Sequence, residues 1–403
     1  MNEPIQSRPS QANLVPDTWM VPNYTGGSIV NLMASIIAAR GGSPDYPPLR
    51  LLAPRDVEQA TNILLLVIDG LGADWLQRRS PAGILDKHLR GTMTSVFPPT
   101  TAAAITTYLT GDAPQQHGLT GWYTYLRELG CVMTVLPGHP RYGGAGYNQA
   151  GIDVRKLFGH VPVAARIKTR AVTISPANIA YSDFNLAHLG PSQLRPFDTL
   201  LDMFRQAARA LRAHSEPKYL YLYWPKLDSI GHEHGMESRA AQQHLTEIEQ
   251  ALTDFLVAAK GTDTLVLVSA DHGLIDTQPS DCIELSDHPA LEDCLALPLC
   301  GEPRAAFCYV CPGRTEAFER YCREILGDKL ELRHSRELLD QGLFGLGTPH
   351  PRLESRIGDY TLLARDNHVI RDRLPNEKRY TQIGVHGGLS AAELTVPLCV
   401  LQA

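Results

Sequence analysis

The stretch that decides the fold is NILLLVIDG at positions 62–70. Residues 63–68 form a continuous apolar run, which is typical of a strand buried on both faces of a parallel sheet. Asp69 and Gly70 follow at once, and we expect a helix from about Ala73. A carboxylate at the carboxyl end of such a strand lies where open α/β sheets bind ligands. Asp-Gly is also a common turn pair, so this junction alone leaves a turn and a ligand site as equal alternatives.

The same arrangement recurs along the chain. Apolar strand-like runs at 218–224 and 264–270 are each followed by acidic residues and histidines, and 91–96 predicts a further strand. Helical patterns lie between these runs, at 28–40, 197–214 and 237–260. This alternation predicts an α/β fold with a doubly wound, mostly parallel central sheet flanked by helices.

The pattern changes after residue 280, where short strands and one helix predict a small α+β insertion. We therefore expect a catalytic core made of 1–280 and 346–403, with 1–25 as an N-terminal arm, and an insertion or cap at 281–345. The Gly- and Pro-rich stretch from 118 to about 170 is expected to form loops at the rim of a pocket.

A different junction is FPPTTAAAITTYLTG at positions 97–111. Two prolines end the preceding segment, a helix of small residues begins, and Gly111 is suited to end it. A hydroxyl residue at such a helix start usually acts as an N-cap. It can also act as a nucleophile toward an anion held by the free N–H groups of the helix. This stretch alone favours capping and does not distinguish Thr100 from Thr101.

The composition is that of a soluble globular protein, with 403 residues, 43% hydrophobic and 20% charged. A formal net charge of −6 argues against an extended nucleic-acid-binding surface. No apolar run is long enough to span a bilayer and no signal peptide is apparent, so we expect a cytoplasmic protein. The eight cysteines lack a framework spacing, and the C-x-x-C pair Cys308 and Cys311 favours buried thiols over a zinc or redox site.

Acids and histidines at strand ends form the candidate site. Carboxylates and imidazoles are ligands that zinc accepts, and Asp-x-x-x-His places two of them within one helical turn or one loop. Each junction alone could be a turn aspartate or a histidine bonded to the backbone. Their coincidence at the strand ends of one sheet indicates a metal site instead. The residues are Asp69, Asp228, His232, Asp271, His272 and His386.

Taken together, these motifs resemble the alkaline phosphatase superfamily, and within it the nucleotide pyrophosphatase/phosphodiesterase (type I phosphodiesterase) branch. The matching motifs, in the family's order, are VIDG at 67–70, Thr101 ten residues before Gly111, His117-Gly118, DSIGH at 228–232, DHG at 271–273 and His386-Gly387. The resemblance selects Thr101 over Thr100. It implies two divalent ions, for which zinc is expected and manganese is the alternative. One ion would be held by Asp69, Thr101, Asp271 and His272. The other would be held by Asp228, His232 and His386.

The resemblance also implies the reaction. Thr101 would attack phosphorus in a small-molecule phosphoester or nucleotide, forming a phospho-threonine ester that water then hydrolyses. The expected activity is that of a phosphodiesterase or nucleotide pyrophosphatase. A phosphomonoesterase or phosphomutase on the same scaffold is the alternative. Residues 387–397 are also similar to PglZ-type members of the superfamily, which leaves a defence-associated module open.

One position departs from the family's pattern. The branch has an asparagine five residues after the histidine of the His-Gly pair, where it contacts a phosphoryl oxygen, and this chain has Trp122 there. The change affects the expected substrate class. Trp122 could stack on a substrate base or only pack against its neighbours, and the sequence leaves both open.

Overall fold

The computed structural model describes residues 19–375, 377 and 381–403. The expected N-terminal arm lies for the most part outside the described residues. The strands are β1 (Asn62–Ile68), β2 (Leu89–Thr94), β3 (Tyr123–Leu126), β4 (Cys131–Thr134), β5 (His139–Pro140), β6 (Arg170–Pro176), β7 (Gln193–Phe197), β8 (Lys218–Trp224), β9 (Thr264–Ser269), β10 (Ile275–Asp276), β11 (Cys282–Glu284), β12 (Cys300–Glu302), β13 (Ala305–Cys308), β14 (Leu330–His334), β15 (Tyr360–Ala364), β16 (Val369–Arg371), β17 (Gly384–Val385) and β18 (Thr395–Gln402).

Two helices precede β1 and the others lie between the strands, and none in the described ranges is long and apolar enough to cross a membrane. They are α1 (Ile29–Ala39), α2 (Pro54–Glu58), α3 (Ala73–Arg79), α4 (Ile84–Lys87), α5 (Thr101–Thr110), α6 (Pro114–His117), α7 (Val154–Phe158), α8 (Val163–Arg166), α9 (Ala177–Ala180), α10 (Asp183–Leu189), α11 (Leu200–Arg212), α12 (Lys226–His234), α13 (Arg239–Ala259), α14 (Pro289–Glu292), α15 (Thr315–Ile325), α16 (Ser335–Asp340), α17 (Leu353–Arg356) and α18 (Ala391–Leu394).

A seven-stranded central sheet carries the order β2-β18-β9-β1-β8-β6-β7. Its strands β9, β1, β8, β6 and β7 pair in parallel, while β18 runs antiparallel to both of its neighbours. All seven residues of β1 are buried, as expected of a strand covered on both faces. The predicted α/β fold with a doubly wound, mostly parallel sheet flanked by helices is confirmed.

The main hydrophobic core surrounds β1. It contains the apolar side chains of β1, β8 and β9 together with those of α1, α5, α11 and α13. Helices α11 and α13 pack against each other, and the rings of Phe204 and Phe255 stack with centroids 5.1 Å apart. This packing fixes the carboxyl ends of β1, β8 and β9 side by side, since β1 pairs with β8 on one edge and with β9 on the other.

A second seven-stranded sheet has the order β14-β15-β13-β12-β3-β4-β5, and all of its pairs are antiparallel. The prediction that 118–170 forms only loops is wrong here, because β3, β4 and β5 belong to this sheet. These strands have two to four residues each and are separated by turns, which hides a period-two pattern. The sheet also takes β15 from beyond residue 345, so it crosses the limits of the 281–345 insertion, whose division from the core stays a prediction.

A buried ion pair connects the two sheets. Arg304, in the turn between β12 and β13, donates from Nη2 to Glu393 Oε2 at 2.9 Å, and the two side chains are 1% and 0% exposed. Glu393 lies in α18, directly before β18 of the central sheet. Ser390 and the Gly388 backbone N–H also donate to the Glu393 carboxylate. Because both charges are fully satisfied, the pair holds the second sheet in one position relative to the first.

We expect Arg304→Met to lower the free energy of unfolding by about 3–5 kcal/mol, because the buried Glu393 carboxylate loses its cation. Urea unfolding followed by circular dichroism measures the change. Arg78→Met is the matched control: Arg78 pairs with Asp74 and Glu237 in solvent, so its loss should cost about 1 kcal/mol or less. Equal effects of the two substitutions would contradict a structural role for the Arg304–Glu393 pair.

Candidate active site

A cavity of about 790 Å³ lies between the carboxyl end of the central sheet and the second sheet. Thr101, Asp228 and His386 line it from the side of the central sheet. The residues 300–302 of β12 form part of the opposite wall. This is the position at which open α/β sheets bind ligands.

One group of potential metal ligands consists of Asp69, Asp271 and His272, whose ligand atoms lie within 4.8 Å of one another. Asp69 directly follows β1, and Asp271 and His272 follow the neighbouring strand β9. His272 Nε2 lies 3.4 Å from both Asp69 Oδ1 and Asp271 Oδ2. The Gly70 N–H donates to Asp271 Oδ1 at 3.1 Å, which links the two strand ends.

A second group contains Asp228, His386 and again His272, whose ligand atoms also lie within 4.8 Å of one another. The His386 ring stacks on the His272 ring with centroids 3.8 Å apart and planes at 19°. The predicted partner His232 lies one turn after Asp228 on α12, with its Nε2 3.2 Å from Asp228 Oδ2. The structure therefore brings all six predicted acids and histidines together, and His272 is shared by both groups.

Backbone carbonyl groups orient these imidazoles. Gly384 O lies 2.7 Å from His232 Nδ1, and Pro99 O lies 3.2 Å from His386 Nδ1. A carbonyl oxygen only accepts, so each Nδ1 carries a proton. Burial lowers the pKa of His232, but Asp228, 3.2 Å from its Nε2, outweighs burial and raises that pKa overall, so a metal ion at this Nε2 would displace a proton. Burial and the neighbouring His272 hold the pKa of His386 well below its usual value, which keeps the ring neutral. Neutral imidazoles are the form that binds metal ions.

The two adjacent threonines face different partners. Thr101, the first residue of α5, places its Oγ1 3.2 Å from His272 Nε2. Thr100 occupies the N-cap position, but its hydroxyl donates to Glu302 Oε1 at 2.5 Å and makes no capping bond to the helix. The expectation of capping is therefore wrong for Thr100. Thr101 is the threonine that faces the acids and histidines.

Three carboxylate oxygens in the site are buried without a hydrogen-bond partner among the described residues: Asp69 Oδ1, Asp228 Oδ1 and Asp271 Oδ2. Burial, together with the charges of Asp271 and Asp228, raises the pKa of Asp69 well above its usual value. Burial also raises the pKa of Asp271. A buried carboxylate oxygen without a partner is unfavourable unless a cation compensates it, so the donor set fits divalent ions.

Sequence reasoning missed two residues that contact the site. Glu302 of β12 is only 8% exposed, and its Oε1 accepts from Thr100 Oγ1 and, at 2.7 Å, from the Trp122 backbone N–H. Burial raises the pKa of Glu302 to about 7. Tyr223 of β8 donates its hydroxyl to Asp69 Oδ2. Neither residue lies in a recognisable motif, and Tyr223 belongs to an apolar strand, where an aromatic residue usually indicates core packing.

The remaining predicted residue, Trp122, lies on the cavity wall and is 37% exposed. Its backbone is fixed by Glu302 and by the close approach of Gly121 to Gly301, where an added Cβ would lie 2.5 Å from Gly301 Cα. The indole is thus held at the cavity without being enclosed by protein. Its role in binding substrate stays a prediction.

Comparison with known proteins decides the family. The model of the type I phosphodiesterase / nucleotide pyrophosphatase family matches residues 63–389, which include every predicted site residue. The chain belongs to this family. Membership supports phosphoester hydrolysis as its class of reaction, and the predicted resemblance is confirmed. No curated protein sequence matches this phosphodiesterase-family chain at a significant level.

Solved structures share the fold of this phosphodiesterase-family chain. The human ectonucleotide pyrophosphatase/phosphodiesterase 5 is 16% identical with a TM-score of 0.65, and covers 84% of this chain and 87% of its own. An inactive threonine-to-alanine variant of the murine protein, in complex with AMP, is 17% identical with a TM-score of 0.63. The match covers 83% of this chain and 87% of the murine chain. Phosphonoacetate hydrolase from Sinorhizobium meliloti 1021, in complex with phosphonoformate, is 16% identical with a TM-score of 0.62. The match covers 85% of this chain and 90% of the hydrolase chain.

We expect Asp69→Asn to have opposite effects with and without divalent metal. In chelator the wild type must either bury the Asp69 charge beside Asp271 and Asp228 or bind a proton there, and an amide avoids both costs, so the melting temperature should rise by a few degrees. With zinc present the variant should gain less stability than the wild type, because a ligand is lost. Thermal melts with EDTA and with zinc measure both effects.

The matched control is Asp254→Asn, which removes an exposed carboxylate of α13 and should leave both melting temperatures unchanged. A wild-type protein whose melting temperature is the same in EDTA and in zinc would contradict a metal site at these residues.

Proposed function

We propose that this chain is a two-metal phosphodiesterase or nucleotide pyrophosphatase that acts through Thr101. The observation that carries the proposal is the position of the Thr101 hydroxyl at the start of α5, 3.2 Å from His272 Nε2 and beside three buried carboxylate oxygens that lack hydrogen-bond partners within the described residues. The proposed nucleophile at the helix start thus lines the same cavity as the potential ligands Asp228, His232 and His386.

Two divalent ions fit the donor set. Asp69, Asp271 and His272, with Thr101, would hold one ion, and Asp228, His232 and His386 the other. Zinc suits ligands made of carboxylates and imidazoles, and manganese is the alternative. When bound, such ions supply Lewis-acid activation of the nucleophile and compensate the charge on the leaving oxygen.

Each of the following residues of the chain has its own role in the reaction. Thr101 Oγ1 gives up its proton to solvent and forms the bond to phosphorus, while the bond from phosphorus to the leaving oxygen breaks, which gives a phospho-threonine ester. Water subsequently attacks phosphorus and releases Thr101. The N–H groups at the start of α5 point toward the transferring group, where they stabilise negative charge. Tyr223 holds Asp69, and the Pro99 carbonyl group holds His386, in the orientations that the site requires.

Relatives support a small phosphorylated substrate. The murine phosphodiesterase described above is inactive when a threonine is replaced by alanine and binds AMP. The Sinorhizobium hydrolase binds phosphonoformate. For this chain we propose a nucleotide or another small phosphodiester. The exposed Trp122 ring on the cavity wall could contact the part of the substrate that is not transferred.

We expect Thr101→Ala to lower kcat/KM for an aryl phosphodiester by about 10³-fold or more, because the nucleophile is removed. Thr106→Ala is the matched control: this threonine lies in the same helix, and its hydroxyl donates to Ala102 O of that helix at 2.7 Å. It should keep the activity within about threefold. Metal analysis of both variants separates loss of the nucleophile from loss of metal. Diester hydrolysis that survives in metal-loaded Thr101→Ala would contradict the proposal.

A direct comparison of substrates tests the alternative activity. We expect the metal-loaded wild type to hydrolyse an aryl phosphodiester with a higher kcat/KM than the matching aryl phosphomonoester. A kcat/KM for the monoester at least about tenfold higher would favour the phosphomonoesterase. Both rates should fall together in Thr101→Ala if one nucleophile serves both substrates.

A further inference from the structure

Glu302 of the second sheet approaches the residues on both sides of the proposed nucleophile's pocket. Its Oε1 accepts the hydroxyl of Thr100, which directly precedes Thr101. On the other side, Gly387 follows His386, and a Cβ added to Gly387 would lie 2.6 Å from Glu302 Cβ. The carboxyl group therefore lies between the start of α5 and the His386 turn, on the wall of the same cavity.

Only uncharged groups bind this carboxyl group directly. The two donors to Oε1 are the Thr100 hydroxyl and the Trp122 backbone N–H, and no salt bridge within the described residues involves Glu302. The neighbouring arginine, Arg304, forms its salt bridge with Glu393. A negative charge on Glu302 thus lacks the direct cation partner that a buried carboxylate usually has.

Among the described residues, none of the arginines that line the cavity forms a salt bridge with Glu302. Arg141 is buried against Asp372 and Glu377, at 2.7 and 2.9 Å. Arg371 is half-buried and donates to Gln382 O at 3.4 Å, and Arg373 is exposed at the rim, where solvent screens its charge. Glu302 therefore has no arginine partner among the described residues, and the charged groups that act on its carboxyl group are His232 and Asp228.

We propose that Glu302 selects the charge of the reacting phosphoryl group, admitting monoanionic phosphodiesters and disfavouring dianionic phosphomonoesters. The proposal rests on the proposed function, since it concerns the substrate of the Thr101 site. A phosphodiester carries one negative charge, and a monoester carries nearly two above its second pKa of about 6. A carboxylate in the same low-dielectric cavity repels a dianion about twice as strongly as a monoanion at the same position, so it penalises the monoester more than the diester.

The hydrogen bonds to Oε1 make Glu302→Gln an informative substitution. A glutamine keeps one acceptor oxygen for Thr100 and Trp122 and nearly the same shape, but it carries no charge. A purely structural role for Glu302 would therefore survive in Glu302→Gln, whereas charge selection would not. Glu302→Asp does the reverse: it keeps the negative charge but shortens the side chain, which disturbs the hydrogen bonds to Thr100 and Trp122.

The test compares kcat/KM for an aryl phosphomonoester and the matching phosphodiester in zinc-loaded protein at about pH 9, where the Glu302 carboxyl is ionised. We expect Glu302→Gln to raise the monoester-to-diester ratio by about tenfold or more, because the removed charge repels the dianion about twice as strongly as the monoanion. Glu302→Asp should keep the wild-type ratio even if both rates fall. Glu292→Gln, which removes an exposed carboxylate at the cavity rim, should leave the ratio unchanged.

An unchanged or lower ratio in folded Glu302→Gln would overturn the inference. If that variant does not fold, inhibition of the wild type decides: a monoanionic dialkyl phosphate should bind at least as tightly as inorganic phosphate, and tenfold tighter binding of the dianion would overturn the inference. Diester hydrolysis that does not require Thr101 would instead contradict the proposed function. The two failures are therefore distinguishable.

Discussion

The structure depends on the convergence of three buried carboxylates, Asp69, Asp228 and Asp271, at one edge of the central sheet. Each carries an oxygen without a hydrogen-bond partner in the part of the chain that the structure describes. Such an arrangement would be unfavourable in a free-standing loop, where the carboxylates would separate and be solvated. Here the backbone prevents their separation, because the parallel pairing of β1 with β8 and β9 fixes the points from which the three side chains start.

The two sheets contribute differently to the cavity. The central sheet and its helices supply the acids, the imidazoles and Thr101, and the second sheet supplies the facing wall, including Glu302. The position of that wall relative to the ligands is set by the Arg304–Glu393 pair, which joins the β12–β13 turn to the segment before β18. A fixed set of ligands beside a wall built from another sheet is an arrangement in which substrate preference can change without altering the metal ligands.

How much the sequence predicted depends on whether a signal was local. The buried strand at 63–68 and the acid after it can be recognised within nine residues, which is why the fold and the grouping of the site residues were predictable. Strands β3 to β5 were not, because they are very short and their partner β12 lies more than 150 residues later. Glu302 and Tyr223 were missed for a related reason. Their contacts with the site arise from tertiary packing, which leaves no recognisable spacing of residues in the sequence.

The adjacent threonines show how these contributions meet at the proposed nucleophile. Thr100 is extended and precedes α5, whereas Thr101 is the first helical residue, so their side chains diverge. The Thr101 hydroxyl faces His272 of the central sheet, and the Thr100 hydroxyl binds Glu302 of the second sheet. A movement of the second sheet would therefore be transmitted to the start of α5 through one short hydrogen bond. That bond holds the residue directly before Thr101, so the second sheet contacts the start of α5 as well as enclosing the cavity.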